Sequence, residues 1–155
     1  MLNDAWIASF VHGESAGEKE GSSRVGEADR ENKELDFEIS FYEGILKRDP
    51  DLVDALIPLG DAYTKRGYHE KGLEVDLRLS RLRPKDPTVF YNLACSYSLL
   101  GQIGSALESL EKALALGYRD FRFLLSDPDM ENLRKDSRFT QLLQKFRKGK
   151  KRSAP

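Results

Sequence analysis

The chain has 155 residues, of which 39% are apolar and a third are charged, enough for one domain with a real core and flanking tails. Its net charge of −1 hides an uneven distribution: residues 1–62 carry 15 acidic and 6 basic side chains, residues 63–155 carry 11 and 19. A single cysteine, Cys95, excludes an internal disulfide, no apolar run is long enough to span a bilayer, and the N-terminus lacks the pattern of a secretory signal, so a cytoplasmic address is expected.

In chain order, Leu2, Trp6, Phe10 and Val11 could form one side of a short amphipathic helix, which is marginal unless docked. Residues 13–30 are rich in Gly, Ser and Glu and nearly free of large apolar side chains, a composition that predicts disorder. From residue 31 the texture changes. Leu35, Ile39, Tyr42, Ile45 and Leu46 recur at spacings of three and four, which predicts a helix to about Arg48. Three Asp-Pro pairs come after it, at Asp49-Pro50, Asp86-Pro87 and Asp127-Pro128. Asp is a good N-cap and Pro is tolerated at the first helical position, so each pair predicts a helix start.

Gly67 and Gly101 suit the left-handed turn that ends a helix, and Pro84 closes another helical stretch. Pro58 falls inside a predicted helix and predicts a kink that opens the turn around Asp54. The segment from Leu73 to Ser80 alternates apolar and polar residues like a strand, but an internal repeat assigns it to a helix between neighbours.

Shifted against itself by 34 residues, the sequence aligns Leu59 with Leu93, Gly60 with Ala94, Tyr63 with Tyr97, Gly67 with Gly101 and Gly72 with Ala106. That period is the mark of stacked helix pairs. The small residues let the two helices of a pair approach, and the tyrosines fill the space between pairs. The pattern resembles the tetratricopeptide repeat: Leu59-Gly60, Tyr63 and Pro84 match it in one unit, Leu93-Ala94, Tyr97 and Ala106 in the next. Asp76 stands where the motif prefers an aromatic, and Tyr118 replaces a closing proline.

The resemblance implies an all-α solenoid of about two and a half units. The domains read as a flexible segment 1–30, a repeat domain 31–147 with full units near 53–86 and 87–120 and a cap at 121–147, and a basic tail 148–155. A third unit starts at Phe121 and fails at Asp127-Pro128. The segment after that turn, with Phe139, Leu142, Leu143 and Phe146 on one helix, resembles the ending of many bacterial tetratricopeptide arrays.

Neither of the two histidines forms a cluster with metal-ligand spacing, and the glycine patterns that cradle phosphate are missing, so no cofactor and no catalytic role are expected. By the geometry that the resemblance implies, the concave groove is walled by Asp54, Ile57, Asp61, Thr64 and Lys65 from the first unit, and by Thr88, Tyr91, Asn92, Cys95, Ser98 and Leu99 from the second. Tyr91 and Asn92 are the leading contact residues. Asn92 also matches one residue of the clamp that related domains use on acidic chaperone tails. Ile57, Asp61 and Ser126 do not match it, which leaves the groove to a neutral or basic segment. The resulting expectation is a protein- or peptide-binding adaptor or scaffold of co-chaperone type. The alternative is nucleic-acid association or salt-sensitive self-association, driven by the acidic front and the six positive charges between Lys145 and Arg152.

Overall fold

The computed structural model describes the backbone over residues 16–149 and side-chain surroundings over 24–147. The amphipathic stretch around Trp6 and the tail beyond Gly149 lie outside the described residues. Among these residues every element is helical: α1 (Ala16–Leu46), α2 (Val53–Arg66), α3 (His69–Leu82), α4 (Pro87–Leu99), α5 (Ile103–Leu116), α6 (Phe121–Ser126), a 3-10 turn (Pro128–Met130), α7 (Glu131–Arg134) and α8 (Ser137–Gly149). From α1 to α5 each helix packs on the next, so the chain is an all-α stack of antiparallel pairs.

The alternating segment 73–80 lies within α3, as the repeat requires. Two stretches differ from the sequence expectation. Asp49-Pro50 lies in a turn, and α2 begins at Val53, with the Leu52 N–H bonded to the Asp49 carbonyl at 3.3 Å. Residues 16–30, which composition assigns to disorder, form the first half of α1. No side chain from 24 to 34 is buried, and the first buried one is Leu35.

Asp86 caps α4 as expected, its side chain accepting from the Thr88 N–H with Pro87 at the first helical position. Gly67 and Gly101 have φ of 83° and 70°, and in each case the next residue's N–H reaches back to the carbonyl of a tyrosine, Tyr63 or Tyr97. These are paired turns of one geometry, 34 residues apart, at a φ that disfavours any side chain. α2 continues through Pro58, which stands in its second turn, where one carbonyl, that of Asp54, loses its helical donor.

Two apolar clusters form the core. Leu35, Ile39, Leu56, Leu59, Tyr63 and Leu79 join α1, α2 and α3. Phe90, Leu110, Leu114, Leu124, Met130 and Leu133 join α4 and α5 to the C-terminal segments. The last five of these side chains are fully buried. The acidic α1 is also tied to α2 by polar contacts: the Tyr63 hydroxyl donates to Glu43 at 2.5 Å, and Arg66 pairs with Asp36 at 2.8 Å.

Close approach explains the small residues. A Cβ on Gly60 would lie 3.2 Å from the Val75 side chain, and one on Gly72 would lie 3.1 Å from the Thr64 hydroxyl. Gly44, by contrast, meets nothing within 4 Å. Gly60→Leu is expected to cost about 1–3 kcal/mol by overpacking. Gly44→Ala is expected to gain about 0.5–1 kcal/mol by restricting the unfolded chain and raising helix propensity. Urea titrations of the two variants check the contrast.

Candidate functional site

The first helix of each pair turns one row of side chains towards a shared concavity. Ile57, Pro58, Asp61 and Thr64 come from α2, Tyr91, Asn92, Cys95 and Ser96 from α4, and Phe123 from α6. Asp127 and Asp129 close one end, and Asp76 and Leu79 reach it from α3 between the pairs. The cleft has a volume of about 520 Å³. Of the groove residues expected from sequence, it brings together Ile57, Asp61, Thr64, Tyr91, Asn92 and Cys95. Asp54, Lys65, Thr88 and Leu99 do not line it. Lys65 is an exposed partner of Asp61 in an i,i+4 pair at 2.7 Å. Ser98 is fully buried, and its hydroxyl accepts from the Leu133 N–H at 3.3 Å. Ser98 therefore holds the cap and is closed to a ligand.

Neighbouring residues on α4 have opposite fates. Tyr91 is 3% exposed. Its ring stacks on Tyr118 at 4.3 Å and 6°, which gives the side chain that stands in place of a closing proline a packing role. The Tyr91 hydroxyl donates to Asp127 Oδ2 at 2.6 Å, and the Cys95 thiol donates to the same oxygen at 3.7 Å. Burial pushes both the Tyr91 hydroxyl and the Cys95 thiol well above their ordinary pKa ranges, with nearby charge adding to it. Cys95 is therefore a protonated donor and not a reactive thiolate. Asn92 is exposed and offers its amide to the groove.

Asp127 was legible as a cap, and its side chain does accept from the Asp129 N–H at 3.0 Å. Its long-range contacts to α4 were not legible. Asp76 was visible only as an aromatic position occupied by an acid. It is 7% exposed, and its Oδ2 accepts from the Ser96 hydroxyl at 2.5 Å, which links α3 to α4. Burial raises its pKa to about 6, against a lowering by the Ser96 hydrogen bond. Asp129 is also shifted upward, by burial first, then by Asp127 and Asp61, with His69 opposing. Among the described residues no Lys or Arg lines the cleft.

Residues 87–116, which make up the pair α4–α5, match the tetratricopeptide repeat family. Over 103 residues, or 64% of its length, the chain is 40% identical to a chloroplastic protein of Arabidopsis thaliana, 29% of which it covers. Over 86 residues, or 52% of its length, it is 38% identical to tetratricopeptide repeat protein 13 of Homo sapiens, 10% of which it covers. The chain thus spans less than a third of either relative, and these relatives are plant and human. Tetratricopeptide repeats are protein-interaction modules, and the cleft uses the first helix of the matched repeat as one wall. No helix among the described residues is long and apolar enough to cross a membrane.

The buried polar contacts set how stability responds to pH and to loss of a donor. An acid whose pKa is near 3.8 unfolded and about 6 folded binds its proton more tightly in the fold. Its stabilising contribution is complete below about pH 4 and is lost as pH rises through about 6. Asp76→Asn should gain on the parent protein by about 2–3 kcal/mol between pH 4 and pH 7.5. Chemical denaturation of both proteins at the two pH values measures this, and parallel pH profiles would count against it. Tyr91→Phe keeps the stacked ring but removes the hydroxyl donor to Asp127. It should cost about 1–3 kcal/mol in the same assay.

Proposed function

We propose that this chain is a protein- or peptide-binding adaptor or scaffold of co-chaperone type that holds a segment of its partner in the concave cleft. The reading rests on one observation: exposed, chemically varied side chains from two successive helix pairs and the cap converge on one open concavity. Ile57 and Phe123 are 51% and 50% exposed, and Asn92 and Asp61 stand with them. Apolar side chains left open beside amide and carboxyl groups suit a peptide, which offers both side chains and backbone. The charge of the lining favours a neutral or basic segment. The alternative, nucleic acid held by the basic C-terminal residues, draws no support from a cleft whose charged lining is acidic. Lys145, at the start of that run, pairs with Glu111 at 2.6 Å. The reducing cytoplasmic address inferred from sequence belongs to this proposal and is supported by the single cysteine alone.

Cross-linked capture from cells, comparing the parent protein with the double variant Ile57→Ser/Asn92→Ala, tests the proposal. Both side chains are exposed, so the fold should survive, which circular dichroism checks. The expected result is a partner enriched on the parent and reduced at least about fivefold on the variant, as for loss of about 1 kcal/mol or more at an interface centre. Partners retained equally by both proteins would move the working surface away from the cleft.

A further inference from the structure

The outer face of α1 is apolar where a surface helix is normally polar. At about 100° per residue, Phe37 is turned about 200° from both Leu35 and Ile39, through which α1 enters the core. Phe37 is 72% exposed, and Phe41, one turn on, is 54% exposed. Ile45 follows after another turn, half-buried and part of neither core cluster. Spaced by four, the three side chains form one ridge along the helix. A lone exposed apolar residue is ordinary, but a contiguous ridge marks a contact surface. Its place in the stack explains why it is open: α2, α3 and α4 each pack on a helix on both sides, whereas the extensive packing of α1 is with α2 alone. The two ends of the ridge carry opposite charge. Glu34 stands at one end, and Arg48 at the other, where its N–H still bonds to the Ile45 carbonyl at 3.0 Å. Both are exposed, and among the described residues neither has an ion-pair partner.

We propose that this face binds a second copy of the chain, α1 against α1, antiparallel about a two-fold axis beside Phe41. In that register Phe41 meets Phe41 of the partner subunit, Phe37 meets Ile45 of the partner subunit, and Glu34 meets Arg48 of the partner subunit. A two-fold contact needs a surface complementary to itself. The ridge has that form, with apolar residues at its centre and one acid and one base at opposite ends. A parallel pairing would set acid on acid and base on base, so charge selects the antiparallel one. The residues ahead of α1 do not supply the cover. The helix that residues 2–11 can form is about 15 Å long, and folded back along α1 from Ala16 it reaches about residue 26, well short of Phe37. Among the described residues none from α1 lines the cleft, so the pairing leaves both clefts open. With the cleft read as a peptide groove, the dimer holds two partner segments at once and gains avidity.

Analytical ultracentrifugation of the full chain between about 1 and 200 μM tests the pairing. The mass should rise with concentration from 17.6 kDa towards twice that value. Phe37→Ser/Phe41→Ser, two changes at exposed positions whose fold circular dichroism checks, should raise the dimer Kd at least about tenfold. Glu34→Arg and Arg48→Glu should each weaken self-association about fivefold, through like charges at both ends of the ridge. An equimolar mixture of these two variants should associate more tightly than either alone, because the mixed pair has opposite charges at both ends again. A chain that stays at 17.6 kDa throughout the range would overturn the proposal. Association that survives Phe37→Ser/Phe41→Ser would overturn it too, and its loss in about 0.5 M salt would place the contact between the acidic and basic ends of the chain instead. A dimer that needs the phenylalanines but shows no preference for the mixed pair would overturn the antiparallel arrangement. None of these measurements involves the cleft, so the groove reading is decided separately, by the capture experiment on Ile57→Ser/Asn92→Ala.

Discussion

The buried carboxyl group of Asp127 holds the end of this array shut. On its own segment it caps the 3-10 turn that begins at Pro128, and across the cleft it receives the Tyr91 hydroxyl and the Cys95 thiol from α4. The backbone carbonyl of the same residue accepts from Arg134. One residue thus joins a local turn, the first helix of the matched repeat and the helix after the turn. Without it, Tyr91 would keep a buried hydroxyl with no acceptor, and the cap would depend on apolar packing of Leu124, Met130 and Leu133 alone. A stack of repeats has no intrinsic stop, since each pair leaves an apolar face for the next. Here the stop is chemical. An Asp-Pro turn ends the third unit after six residues of helix, and the freed acid is used to fasten the turn to the helix it faces.

That solution shapes the groove. Closing the concave side with a carboxyl group leaves acid at one end of the cleft, and Asp76 adds another at its floor, where it links α3 to α4 through Ser96. The side-chain hydrogen bonds to both acids come from uncharged donors. Asp61 and Asp129 lie beside them with more exposure. The electrostatic character of the cleft is therefore partly a by-product of how the array is terminated.

The fold was readable because its determinants are local or periodic. Gly67 and Gly101 and Asp86-Pro87 each act within a few residues, and α3 could be rescued from its strand-like alternation because the 34-residue register outweighed one segment. Two local readings failed where composition and punctuation were asked to act alone. Residues 16–30 are poor in large apolar groups, yet they continue α1, and no side chain from 24 to 30 is buried. Asp49-Pro50 looks like Asp86-Pro87, but the chain needs the extra residues Asp51 and Leu52 to pass from α1 to α2. Site residues were less readable. Periodicity placed Ile57, Asp61 and Asn92 on the right face, whereas Asp76 and Asp127 entered through contacts 20 and 36 residues away. No pattern short of the structure announces those.

Tyr91 and Asn92 show why a residue's chemistry could not settle its role. Both looked suited to a peptide, and they are adjacent, which on a helix separates them by about 100°. That rotation is enough to send one ring into the stack with Tyr118 and leave one amide in solvent. In a helical repeat the surface row and the core row are interleaved at this spacing, so a concave face is never continuous in sequence. A perturbation aimed at binding must therefore follow the exposed row, Ile57, Asp61 and Asn92, because a change at Tyr91 first releases Asp127. Loss of binding in that case would report the opening of the cap rather than the loss of a contact, and the two effects are separable only because the hydroxyl of Tyr91 and the amide of Asn92 point to different partners.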